Sequence, residues 1–241
     1  MDKFGINWSL RVLAVVIGFS FVLTLSAQEI GQEKNEKIQL SEEMSTAKLA
    51  TEMVIKGYKD RDPLLLAKAA DMLAKIGIQD LKVEKSEPGK KNEGEKEKQQ
   101  TLEVNLDVVQ IINDAIVMAE NDSSVLMVVK KIQEQIKSSQ EAVSKGRVGG
   151  PTYATRTVYG GSTYTDYIYF SGETLAEVAV IGDGDTDLDL YLYDTNGNLI
   201  DYDIRYGDGC YVACIPYYTQ LMTVVVKNLG WLYNNYILIT N

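Results

Sequence analysis

Two rhythms of apolar residues divide the chain. In the first half, Leu40, Met44, Ala47, Thr51, Val54 and Tyr58 recur three and four positions apart, which draws one apolar stripe on a helix. Asp62-Pro63 then supplies a cap and a proline for the first helical turn, and the run Leu64–Ile76 stops at Gly77. These segments predict a helical hairpin. A second pair is expected over about 104–119 (Ile112, Ala115, Ile116, Ala119) and 123–138 (Val125, Val129, Ile132, Ile136). Between the pairs, KSEPGKKNEGEKEKQQ (85–100) lacks aliphatic and aromatic residues and reads as a disordered, solvated linker. A tetratricopeptide-like duplication would need matching aromatic and glycine positions, which are missing. A small four-helix packing over 38–145 is the expectation.

After the linker 146–152 the period becomes two. Strands are predicted near 153–159, 164–170, 175–181, 187–194, 199–204, 210–215, 221–227 and 236–240, separated by Gly, Asp and Asn. The expected fold class is therefore α+β in two parts. An N-terminal all-α half of about four helices precedes a C-terminal antiparallel β-sandwich over 153–241, jelly-roll-like, with about eight strands.

The N-terminus has its own pattern. Lys3 and Arg11 precede the apolar run Val12–Leu25, and Ser26-Ala27 precedes polar sequence. This describes a secretory signal peptide over 1–27, cleaved after Ala27, followed by a flexible mature start at 28–37. The alternative is a retained anchor, for which the apolar run is short against the roughly 20 residues of a spanning helix. The expected destination is the periplasm or the exterior, with no stable membrane insertion after cleavage.

Composition narrows the chemistry. The chain carries a net charge of −10 and no histidine. Nucleic acid is an unsuitable partner, and histidine triads and imidazole metal sites are excluded. Residues 151–241 hold eleven acids against Arg156, Arg205 and Lys227, and 14 of the 15 tyrosines. Cys210 and Cys214 lie four apart in an expected strand, about 13 Å by extended geometry, too far for a disulfide. They are expected as two half-buried thiols on one strand face.

The stretch GDGDTDLDLYLYDTNGN (182–198) places aspartates at 183, 185, 187 and 189. As a strand, it turns Leu188, Leu190 and Leu192 to the core and Asp187, Asp189, Tyr191 and Tyr193 outward. Thr195-Asn196-Gly197 predicts a three-residue hairpin loop with Gly197 left-handed. That register sets Leu192 against Ile200, Leu188 against Ile204, Asp189 against Asp203 and Asp187 against Arg205. A two-residue loop would set Leu192 against Asp201 and Leu190 against Asp203, and is rejected because it opposes apolar to charged. Facing carboxylates repel, so calcium held by Asp185, Asp187, Asp189 and Asp203 is one reading. A wet acidic edge balanced by Arg205 is the other. An EF-hand is excluded, because Leu188 stands where that loop needs glycine.

Asp189-Leu-Tyr-Leu-Tyr-Asp194, the Asn196-Gly197 turn, Val224-Val-Val-Lys-Asn228 and Asn235-Tyr-Ile-Leu-Ile239 together resemble the bacterial pre-peptidase C-terminal domain family, to which collagen-binding segments of secreted collagenases are similar. The resemblance covers about 151–241. It implies a non-catalytic β-sandwich that serves secretion, targeting or adhesion. The chain departs from it in lacking a peptidase and in having no carboxylate in the segment entering the first strand.

The expected function is thus an exported binding protein for an extracellular protein or polysaccharide. Tyr167, Tyr169, Tyr191 and Tyr193, with Tyr211 beside them, are the candidate contact residues, because tyrosine offers large, stiff, amphipathic area. For each tyrosine singly, cross-strand support is the competing reading; a contiguous patch would reverse it. Trp231 is expected to pack within its loop. Two alternatives stand: an envelope assembly component docking a partner through its helices, and a hydrolase using a carboxylate pair such as Asp189 and Asp203.

Overall fold

The computed structural model describes residues 39–91, 104–143 and 150–241. The predicted signal peptide and mature start, most of the charged linker and most of the 146–152 linker lie outside them.

Among the described residues four helices form where the periodicity places them, each begun by a side chain that accepts from orphan N–H groups of its first turn. Ser41 caps α1 (Glu42–Asp60) by accepting from the Met44 N–H at 3.3 Å. Asp62 accepts from Leu64 and Leu65 at 3.0 Å to start α2 (Pro63–Ile76), which ends at Gly77 with φ 67°. Asp107 caps α3 (Val108–Met118) and Asp122 begins α4 (Ser123–Val143). The α2 helix packs against the other three, with Leu66, Ala67, Ala70 and Leu73 fully buried. The first hairpin is close: a Cβ on Gly57 would lie 2.7 Å from Leu66.

Among the described residues ten strands make two five-stranded sheets. Sheet A runs β1 (Gln79–Asp80), β3 (Thr152–Val158), β10 (Asn234–Thr240), β5 (Ala176–Ile181), β8 (Gly209–Cys214). Sheet B runs β2 (Lys85–Pro88), β4 (Thr163–Phe170), β9 (Gln220–Asn228), β6 (Leu188–Tyr193), β7 (Leu199–Asp203). All pairings are antiparallel except β1 with β3. All eight predicted strands are present.

The other two correct the predicted linker. Lys85–Pro88 pairs with Tyr164–Tyr167 as an edge strand. Edge pairing uses backbone groups and needs no buried side chain, so the absence of apolar residues did not forbid it. Lys85 lies 5.6 Å over the Tyr167 ring, and the Ser86 hydroxyl bonds Asp166. The helical half thus contributes a strand to each sheet.

The layers are helices, sheet A and sheet B. One core lies between the sheets, built on Leu188, Leu190, Leu192, Val180, Val224 and Leu238. The other lies between the helices and the outer face of sheet A, where Ala179, Ile181, Ile237 and Ile239 meet the helical stripes. β5 is buried on both faces, which explains the apolar run Val178–Ile181. Its one acid, Glu177, is 0% exposed and accepts from the Ser41 N–H at 2.8 Å and the Tyr211 hydroxyl at 2.9 Å. Cys210 and Cys214 are free thiols packed against the inter-sheet core from one face of β8, as expected, but Cys210 is buried where two half-buried thiols were predicted. Burial pushes the Cys210 thiol up to about 12 and the Cys214 thiol to about 11.

The β6–β7 hairpin differs from its predicted register. The turn is the one expected: Asp194 N–H bonds Asn198 C=O at 2.9 Å, and Gly197 has φ 81°. The register then shifts, with Tyr193 opposite Leu199 but Leu192 opposite Asp201, so Ile200 is a bulge residue. Beyond it Leu190 faces Asp203, the pairing that apolar matching rejected. Asp189 faces Lys227 of β9 instead of Asp203. Bulges re-aim side chains at sheet edges, and this one turns Ile200, Tyr202 and Ile204 outward and Asp203 inward to 1% exposure.

Candidate functional site

No described helix packs on the outer face of sheet B. Strand alternation decides what that face carries. On β4, Asp166, Ile168 and Phe170 are buried, so Thr165, Tyr167 and Tyr169 stand outward. On β6 the buried leucines leave Tyr191 and Tyr193 outward. The ladder aligns them in rows across the sheet. Tyr167, Thr223 and Tyr193 are successive neighbours on β4, β9 and β6. Thr165, Val225, Tyr191 and Tyr202 form the next row, across β4, β9, β6 and β7.

The rings form a group. Tyr191 lies 6.5 Å from Tyr193 and 6.5 Å from Tyr202, with planes within 24° of each other. Tyr169 is 61% exposed and Tyr202 49%. The four tyrosines singled out from sequence therefore share one open face. Tyr202 joins them although the predicted register assigned it inward. The signal that would have found it is the alternation Ile200-Asp201-Tyr202-Asp203-Ile204, which is compatible with either face. Tyr211 does not join them: it belongs to sheet A, packs against the helical core and donates to Glu177.

The charges on this face balance. Asp189 faces Lys227, and Lys85 pairs with Glu87. The Tyr191 hydroxyl donates to Asp189 at 3.0 Å, and burial together with that carboxylate raises its pKa. What remains is aromatic area interleaved with threonine hydroxyls.

The aspartates predicted as calcium ligands are dispersed. Asp203 reaches β8, where it accepts from the Tyr211 N–H at 3.0 Å while Arg205 grips it at 2.6 and 2.8 Å. Asp187 accepts from the Gly207 N–H at 2.7 Å, Asp189 lies on the outer face of sheet B, and Asp185 is in an exposed loop. Among the described residues no three acidic or thiol groups converge as a metal site. Calcium wants six to eight oxygens, and here carboxylate oxygens are engaged by backbone N–H groups and Arg205, so the set does not fit the ion. Burial would raise the pKa of Asp203, but Arg205 and two backbone N–H groups outweigh it and bring it below the usual carboxylate range. A residue so held stays ionised.

Trp231 corrects another expectation. It is 94% exposed, at the tip of the β9–β10 loop between Leu229 and Leu232. The loop is tied from beneath: the Asn228 amide donates to Leu232 C=O at 2.8 Å and its oxygen accepts from the Gly230 N–H at 2.8 Å. Among the described residues no helix is long and apolar enough to cross a membrane.

No family model matches the chain, and no curated protein matches it. Solved structures resemble part of the chain slightly. A Yersinia pseudotuberculosis-derived mitogen is 17% identical, with TM-score 0.30, over 39% of this chain and 86% of its own. TmCBM61, solved with beta-1,4-galactotriose, is 13% identical, with TM-score 0.25, over 41% and 72%. The CBM22-1 xylan-binding domain of Paenibacillus barcinonensis Xyn10C is 9% identical, with TM-score 0.22, over 40% and 86%. Likeness this slight carries no functional argument.

Proposed function

We propose that this chain is an exported, non-catalytic binding protein whose outer sheet-B face holds an extended, uncharged polysaccharide. The observation that carries the reading is the cluster in which the Tyr191 ring lies 6.5 Å from both Tyr193 and Tyr202, on a sheet face that no described helix covers. Aromatic faces offer apolar area to the C–H side of a sugar ring, while their hydroxyls and the neighbouring threonines serve its oxygens. Because Lys85 and Lys227 stand there against Glu87 and Asp189, a neutral glycan suits the face better than an acidic one. The extracytoplasmic destination rests on the N-terminal pattern. The non-catalytic assignment is supported by the placement of Asp189 and Asp203, the pair a hydrolase would use, on opposite faces of sheet B, with Asp203 turned inward to β8.

Affinity electrophoresis of the purified chain through gels of neutral glucan, mannan, galactan and xylan tests this. At least one should retard the wild type, and Tyr191→Ala or Tyr202→Ala should weaken retardation about tenfold, equivalent to about 1.4 kcal/mol. Migration unaffected by every neutral polysaccharide would remove the proposal.

A further inference from the structure

The two long edges of the sandwich differ. At one, β7 and β8 are tied together by Asp201 and Asp203. At the other, β1 accompanies β3 only at Thr152 and Tyr153. Beyond that point a cleft of about 610 Å³ opens between β3, β4 and the residues that lead into α3. This lies within the usual 300–1,000 Å³ of small-molecule sites.

Its lining is polar and aromatic, with Asn105, Gln110, Arg156, Tyr159, Tyr164 and Asn235 as the informative members. Arg156 grips both oxygens of the buried Asp166 at 3.1 and 3.2 Å and donates to the Thr155 carbonyl at 3.2 Å. A guanidinium has five N–H groups, so two remain, with their charge already balanced by Asp166. The Asn235 oxygen accepts from the Thr157 hydroxyl at 2.7 Å, while its amide nitrogen has no partner. Among the described residues the Gln110 side chain is engaged by nothing.

We propose that this cleft is a second binding site, for a short neutral oligosaccharide or the end of a longer one. Amides and a charge-balanced guanidinium supply donors and acceptors to hydroxyl groups that need both, and Tyr159 supplies a ring at the rim. A carboxylate or phosphate ligand gains little, because Asp166 already satisfies the cation. An extended peptide adding to the β3 edge would need the Thr155 carbonyl, which Arg156 occupies. The site shares the ligand class of the function proposed above but not its surface, so the two can fail separately.

Calorimetric titration of the full chain with cello-, manno-, galacto- and xylotriose tests it. At least one trisaccharide should bind, and Gln110→Ala and Tyr159→Ala should each weaken it about fivefold or more. Gln110 is exposed, so its loss spares the fold, and an unchanged Tm would confirm this for both variants. Absence of trisaccharide binding, or binding indifferent to both cleft substitutions, would overturn the proposal. Loss on Tyr191→Ala alone would assign the sugar to the sheet face and remove the cleft. Preference for trigalacturonate, or displacement of the sugar by an extended peptide, would overturn the ligand class.

Discussion

The carboxylate of Asp203, on the edge strand of sheet B, accepts a hydrogen bond at 3.0 Å from the backbone N–H of Tyr211, on the edge strand of sheet A. Two residues along each strand the contact repeats, from Ala213 N–H to Asp201 at 3.0 Å. β8 pairs with β5 on one side only, and its outward N–H groups recur every second residue. Aspartates at alternate positions match that repeat. They close the sandwich edge and cover a strand that would otherwise invite pairing with another chain.

Asp203→Ala should therefore destabilise the protein by about 1–3 kcal/mol, the cost of leaving a buried donor unmet. Urea melts of the two proteins would measure it, and equal midpoints would refute the role. The pH dependence follows from the depressed pKa of Asp203. A carboxylate held below its ordinary value contributes stability that is full above roughly pH 4 and is lost as pH falls through the folded value. Stability should thus fall below about pH 4, and Asp203→Asn should flatten that acid slope.

Much of this fold was legible because each element carried its own signal. The Asp62-Pro63 start and Gly77 stop of α2 are local, as is the left-handed Gly197 turn, and the alternate leucines of β6 need only a core to face. The bulge at Ile200 was not legible, because it answers to β8, a strand of the other sheet. Opposing Leu192 to Asp201 looks wrong if every inward position faces hydrocarbon. At the outermost strand the inward side faces a row of N–H groups instead, and a carboxylate is the better fit. Lys85–Pro88 escaped for a similar reason, since an edge strand can be recruited by backbone pairing without an apolar pattern. The tyrosine face was legible as a set of outward positions, and only the ladder register showed that they adjoin.

Calcium should leave the Tm unchanged to within about a degree, since a stabilising ion must bind the folded state well below its concentration. Of the acids that a cation would recruit, Asp187 and Asp203 already hold the N–H groups of Gly207 and Tyr211. Differential scanning fluorimetry with millimolar calcium and with chelator checks this. A rise abolished by Asp189→Ala would establish a metal site.

Trp231→Ala should change stability by less than about 0.5 kcal/mol, because a side chain 94% exposed loses little packing. Its loop is fixed by Asn228, which the substitution leaves intact. A large drop in the urea midpoint would return Trp231 to a packing role.

The helices and the sandwich should unfold together. β1 and β2 come from the helical half but complete an edge of each sheet. Ala179, Ile181, Ile237 and Ile239 are buried under the helices rather than between the sheets. Glu177, fully buried on β5, satisfies the N–H of Ser41 at the start of α1. Cutting near residue 150 would expose that apolar face, remove two strands and leave Glu177 short of a donor. Calorimetry of the whole chain should therefore show one transition with matching calorimetric and van't Hoff enthalpies, and a 150–241 fragment should aggregate. Two separated transitions, or a soluble fragment with the Tm of the whole, would mean that the sandwich stands without its helical layer.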